Sequence, residues 1–216
     1  MDAQYKVVAV NGSPHNALGN TSLMLRMIAD GLSQEGVELE EIFLSNHKIE
    51  YCMGCGFCLE NKKCWRRDDH AGITDKLTAA DGIILASPVY FMHVTAQMKT
   101  FIDRSLSFGH KPRATWKPGL AVCVSAGLSD TDTARYLESV LRPFGAFSVG
   151  NFTALATGPG EFLGKEAVEA RAADLAGGLV KAIKEKAISG HRRRPPLLSL
   201  YEGPGYEGER LYGRRL

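Results

Sequence analysis

The sequence predicts an α/β fold, a doubly wound parallel sheet of five strands with helices on both faces. Three observations predict it. Five short apolar or β-branched runs punctuate the chain, each is followed by a helix-spaced pattern, and two of the runs are apolar almost without interruption. The chain has 216 residues, 44% of them hydrophobic and 23% charged, enough for one domain with an appendage and a sizeable core.

The first strand is Tyr5 to Val10, closed by the turn sequence Asn11-Gly12-Ser13-Pro14. Leu23, Met24, Met27, Ile28 and Leu32 then recur at helical spacing, with Asn20 or Thr21 able to cap the start and Gly36 marking the stop. Further strands are read at Val37 to Leu44, Gly82 to Ser87, Gly119 to Ser125 and Val149 to Leu155. Helices are read at Ile73 to Ala80, Val94 to Phe108, Thr131 to Phe144 and Lys165 to Ala187. Strand and helix in alternation mean parallel βαβ units with right-handed crossovers. Two segments stand outside the alternation, a long stretch at 45–70 and a tail at 189–216, so the chain divides into a domain at 1–188 carrying an insertion, and the tail. A loop as long as 45–70 inside a compact domain is usually functional.

Ligands of open parallel sheets bind beyond the carboxyl ends of the strands, where the strand order reverses. The loop there runs from Asn11 to Ser22 and opens directly onto a helix N-terminus, whose free N–H groups and dipole suit a phosphate. Ser13, Asn20, Thr21 and Ser22 can donate side-chain hydrogen bonds, and His15 can reach the same anion, while the loop holds no Lys or Arg. That favours a bound monophosphate over a transferred one, which wants a P-loop lysine and magnesium. An ordinary helix cap is the plain alternative. The dinucleotide fingerprint fails, because only Gly12 and Gly19 are available, and Gly158 to Glu166 has the wrong spacing for a Walker A loop. The turn after the third strand, Ser87-Pro88-Val89-Tyr90-Phe91, lies at the same end and offers aromatic faces to a flat ring. Phosphate loop and aromatic turn together fit flavin mononucleotide.

The motifs Gly12-Ser13-Pro14 to Gly19-Asn20-Thr21, Ser87-Pro88-Val89-Tyr90, and Lys99 to Ile102-Asp103-Arg104 occur in this order over residues 5–185. In them the chain resembles the flavodoxin-like NADPH-dependent FMN reductase superfamily. The resemblance implies strand order 2-1-3-4-5, with the FMN phosphate in the first loop and the flavin ring against Pro88, Val89, Tyr90 and Phe91. The loop Ser125-Ala126-Gly127 would approach the ring from the other side. It also implies an FMN-dependent oxidoreductase in which the cofactor carries the chemistry.

Four of the five cysteines crowd into Cys52, Cys55, Cys58 and Cys64, which suits metal or redox chemistry better than a disulfide framework. The spacing closely resembles the compact motif of the iron–sulfur flavoproteins within the same superfamily, implying one [4Fe–4S] cluster that would couple two-electron and one-electron steps with the FMN of its own or a neighbouring subunit. The ferredoxin run differs, placing its fourth cysteine after three residues and before a proline. Zinc sites of four cysteines usually separate two knuckles by a long spacer. Reduced, empty cysteines or a reversible disulfide switch stay open alternatives, as does a metal-free NAD(P)H-dependent FMN or quinone reductase. Cys123, in an apolar strand, reads as a small buried hydrophobe.

A formal net charge of +2 gives no reason to expect nucleic-acid or membrane binding. With no leader or membrane span read at the start, a cytoplasmic location is expected. The arginines of Arg66-Arg67-Asp68-Asp69 could steer an acidic partner or NADPH, or the run could simply be solvated. Expected partners are NAD(P)H or a ferredoxin-like donor and a small-molecule or protein acceptor. The tail carries six arginines among Leu197, Leu198, Leu200, Tyr201, Tyr206, Leu211 and Tyr212. So apolar a segment should pack, on itself or, more simply, on a neighbouring subunit of a homodimer or homotetramer.

Overall fold

The computed structural model describes residues 5–110 and 112–189. The expected tail falls at its edge, and residues 190–216 lie outside the described ones, as does the subunit contact assigned to them. In chain order the elements are β1 (Tyr5–Asn11), α1 (Asn20–Ser33), β2 (Val37–Phe43), α2 (Phe57–Asn61), α3 (His70–Ala79) and β3 (Gly82–Pro88). There follow α4 (Ala96–Arg104), α5 (Leu106–His110), β4 (Pro118–Ser125), α6 (Asp130–Phe144), β5 (Phe147–Gly158), β6 (Glu161–Phe162) and α7 (Lys165–Ser189).

The sheet order is β2-β1-β3-β4-β5-β6. The first five strands are parallel, and β6 runs antiparallel to β5. Six strands therefore replace the five expected. The sixth is two residues long, too short for an alternating pattern to register in the sequence. The order reverses between β1 and β3, which opens the crevice at their carboxyl ends.

Side chains alternate across the sheet with the period of two that a strand imposes. Val7, Ala9, Ile84, Ala86, Leu120 and Val122 face α1 and α7, packing with Met24, Ile28, Ala176 and Leu179. Val8, Val10, Ile83, Leu85 and Ala121 face the other way, against Leu77, Met98, Phe101 and Leu137 of α3, α4 and α6. Every residue of β4 is buried, and all of β3 but Pro88, as the unbroken apolar runs require.

Two local expectations are corrected. The helix read as Val94 to Phe108 is divided at Ser105, whose hydroxyl donates to the Phe101 carbonyl at 2.7 Å and caps α4. Neither Asn20 nor Thr21 caps α1. Gly19 holds the N-cap position and no side chain closes the helix end. The 45–70 stretch contains a 3-10 turn, Leu44–Asn46, and the short α2. Among the described residues no helix is long and apolar enough to cross a membrane.

Candidate functional site

A cavity of about 280 Å³ opens at the carboxyl ends of β1, β3 and β4. One wall is the loop from β1 to α1, contributing Ser13, His15, Leu18, Gly19, Asn20 and Thr21. With no side-chain cap on α1, its first N–H groups remain for a ligand. Thr21 is 1% exposed, and its Oγ1 has no hydrogen-bond partner among the described residues. A buried hydroxyl left unpaired at a helix N-terminus is what an anionic group would satisfy. No Lys or Arg lines the cavity, so the anion would be held by dipoles and hydroxyls.

The loop is shaped from below. Asn11 Oδ1 accepts the Ser13 backbone N–H at 2.7 Å, and Asn11 Nδ2 donates to Glu41 at 2.6 Å. Ser22, expected at the ligand, is buried and donates to the Glu41 carboxylate at 2.7 Å. It supports the loop instead of lining the cavity.

The opposite walls come from Pro88, Val89 and Tyr90 after β3, and from Val124, Ser125 and Ala126 at the end of β4. Tyr90 and His93 close a tight turn through paired backbone hydrogen bonds of 2.7 and 3.2 Å. Its central residues, Phe91 and Met92, both have left-handed φ, at 40° and 72°. Phe91 sits at the tip, fully exposed and outside the cavity wall. Gly127 also stands off the wall, donating its N–H to Ser125 Oγ at 3.2 Å.

Sequence reasoning missed the fourth wall, Ala156 and Pro159 of the β5–β6 hairpin. The turn signal Gly158-Pro159-Gly160 was visible, but nothing local tied it to a loop 138 residues away, where Asn20 Nδ2 donates to the Gly158 carbonyl at 2.8 Å.

Cys52, Cys55, Cys58 and Cys64 line a second, smaller cavity, together with Trp65, Arg66, Asp103, Arg104 and Leu106. Gly54 and Gly56 adopt φ of 64° and 71°, which lets the chain turn tightly around it. All four thiols are free. The Cys55 thiol is lowered from its ordinary value by the Phe57 backbone N–H and then the Trp65 ring N–H, whereas burial raises Cys58. Among the described residues no three such donors stand close enough for a single metal ion. An iron–sulfur cluster makes a different demand, because each thiolate bonds its own iron at a corner of a larger object. Four thiols lining one cavity, two of them on exposed residues, suit that donor set. Cys123 is pushed up to about 12 by burial, in keeping with a purely apolar role.

The neck of the cysteine loop is fixed from α4. Arg104 Nη1 donates to Asp68 at 2.5 Å and to the Glu50 carbonyl at 2.7 Å, and Nη2 donates to the other Asp68 oxygen at 3.1 Å. Asp68 also accepts the Glu50 N–H at 3.0 Å, so residues on both sides of the cysteines meet at one ion pair. Burial opposes the Arg104 charge, but Asp68 and then Cys64 raise its pKa. Asp68 is thus a buried anchor rather than part of a solvated charge run, while Arg66 stacks over Trp65 at 5.1 Å.

An uncapped helix N-terminus facing a cavity at the strand-order reversal is the arrangement in which open α/β proteins of flavodoxin type bind a nucleotide. Residues 5–171 match the family model of the NADPH-dependent FMN reductases. An iron–sulfur flavoprotein of Archaeoglobus fulgidus is 40% identical over 182 residues, 84% of this chain and 81% of that one. One of Methanocaldococcus jannaschii is 44% identical over 123 residues, 56% of this chain and 62% of that one. The solved structure of RosB with a bound riboflavin-phosphate intermediate superposes with a TM-score of 0.71 at 13% identity, covering 98% of this chain and 91% of the other, a likeness of fold. The chain belongs to the NADPH-dependent FMN reductase family, among relatives named iron–sulfur flavoproteins, and is an FMN-dependent oxidoreductase.

Proposed function

We propose that the chain is an electron-transfer oxidoreductase of iron–sulfur flavoprotein type, with FMN in the larger cavity and one [4Fe–4S] cluster on Cys52, Cys55, Cys58 and Cys64. The observation that carries this reading is the placement of α4. The turn that precedes it lines one cavity, and its last two residues, Asp103 and Arg104, line the other. The name of the Archaeoglobus relative supports the cluster.

In this reading Thr21, Ser13 and the N-terminal N–H groups of α1 hold the phosphate, Asn20 braces their loop against the β5–β6 hairpin, and His15 stands at the edge. Pro88, Val89 and Tyr90 shield one side of the ring, and Ser125 and Ala126 the other. Four thiolates hold the cluster, with the loop neck fixed by Asp68 and Arg104. When bound, FMN exchanges electrons in pairs or singly and the cluster exchanges them singly, so the protein's part is to hold and orient both. NAD(P)H or a ferredoxin-like protein is the donor class, and a small molecule or protein the acceptor.

Protein purified anaerobically is tested for iron and acid-labile sulfide against FMN. Cys55→Ala and Cys58→Ala should lose iron and sulfide and keep FMN, and should slow one-electron acceptors far more than flavin reduction. Wild-type protein with FMN but no iron, and variants as fast as the parent, would make it a metal-free NAD(P)H-dependent reductase.

A further inference from the structure

We propose that Arg104 is a positioning and tuning residue for the cysteine centre, donating its Nε–H to a ligand sulfur and placing a fixed positive charge against the group the thiolates hold. The proposal rests on the cluster reading above. Its starting point is an incomplete set of hydrogen bonds. Arg104 is 3% exposed, both terminal nitrogens are engaged by Asp68 and Glu50, and Nε alone has no partner among the described residues. The same side chain lines the cavity of the four cysteines.

A guanidinium buried only to pin a loop needs no face on that cavity. Two features fit a second task. The fork to Asp68 fixes the plane of the guanidinium, so the remaining N–H is held in one direction instead of following solvent. Asp68 compensates the charge from the far side, which makes burial tolerable while leaving the cation next to the thiols. Four thiolates around a cluster carry net negative charge, and adding one electron makes it more negative. A buried cation and an N–H to sulfur both favour that added electron, because hydrogen bonds to the sulfurs and local charge set the potential of such centres.

The test uses the full-length protein, prepared anaerobically, as wild type, as Arg104→Lys, and as the pair Arg104→Gln with Asp68→Asn. The pair is neutral on both sides and leaves no buried unpaired charge. Iron and sulfide per FMN, iron loss to a chelator and the midpoint potential of the iron chromophore are measured. The pair should lose iron roughly 10- to 100-fold faster and shift the potential negative, with FMN content unchanged. Lysine keeps the charge without the planar fork and should recover part of the shift. Wild-type retention and potential in a folded, FMN-loaded pair would overturn the role of Arg104 and leave the cluster standing. Wild-type protein that carries FMN and takes up no iron would overturn both. Should the pair not fold, Arg104→Lys decides alone: a negative shift upholds the Nε donation, and no shift overturns it.

Discussion

Asn20 and Gly160 are joined across the chain: the Gly160 backbone N–H donates to Asn20 Oδ1 at 2.7 Å, while Asn20 Nδ2 donates to the Gly158 carbonyl at 2.8 Å. One amide thereby fastens the phosphate loop to the β5–β6 hairpin and fixes the distance between two walls of the cavity. Asn20→Ala removes both bonds, about 1–3 kcal/mol together at the usual net value. FMN affinity should fall about tenfold, read by quenching of FMN fluorescence on titration into the apoprotein. Unchanged affinity would mean that the hairpin is no part of the binding wall.

Thr21 gives a prediction in which stability and affinity separate. Its hydroxyl is buried without a partner, so Thr21→Val removes a desolvated group and keeps the shape. The apoprotein should melt no lower than the parent. FMN binding should weaken by about 0.5–1.5 kcal/mol, the net worth of one hydrogen bond. Equal FMN affinity in the two proteins would place the phosphate elsewhere.

Gly12 is where the first loop presses on α4. A Cβ there would stand 2.8 Å from Met98 Cβ and 2.9 Å from Thr95 Oγ1. Thr95 Oγ1 donates to the Gly12 carbonyl at 2.7 Å and accepts from Met98 N at 3.3 Å as the N-cap of α4. Gly12→Ala must displace that cap, and should cost about 1–3 kcal/mol, as overpacking does. Urea denaturation checks it, with a lower midpoint and an unchanged slope expected. A midpoint equal to the parent's would show that α4 yields freely.

The fold was legible where local pattern and tertiary burial agree. The unbroken apolar runs of β3 and β4 named the central strands, and the helix-spaced pattern from Lys165 named α7, whose Val168, Ala172, Leu175 and Leu179 are buried in the core. What stayed hidden depends on distant partners. Ser22 carries the right hydroxyl in the right loop, yet Glu41 on β2 takes it, a contact no spacing within the loop announces. Asp68 read as one charge of four in an exposed run because its partner Arg104 lies on another helix. Pro159 lines the cavity between Gly158 and Gly160, the two residues that Asn20 binds from across the chain. Local sequence chemistry supplies candidate groups, and the sheet decides which of them share a cavity.

His70 at the start of α3 gives a pH dependence with a definite sign. It is 5% exposed, its Nε2 lies 3.0 Å from Ser105 Oγ, and its ring packs 5.4 Å from that of Phe101. Burial, then the charge of Arg104, lowers its pKa from 6.5 to about 4, with Asp68 acting the other way and Arg113 adding to the lowering. Between those values the unfolded chain takes up a proton that the native protein refuses. The stability associated with neutral His70 is therefore complete above about pH 6.5 and is lost as pH falls toward 4, at no more than about 1.4 kcal/mol per pH unit for one proton. His70→Gln keeps a group able to bond Ser105 and cannot titrate. Urea midpoints measured from pH 7.5 to 5, above the ordinary carboxylate range, should fall with acidity in the parent and stay nearly level in the variant. Parallel curves for the two proteins would show that His70 is protonated as readily in the native protein as in the unfolded chain.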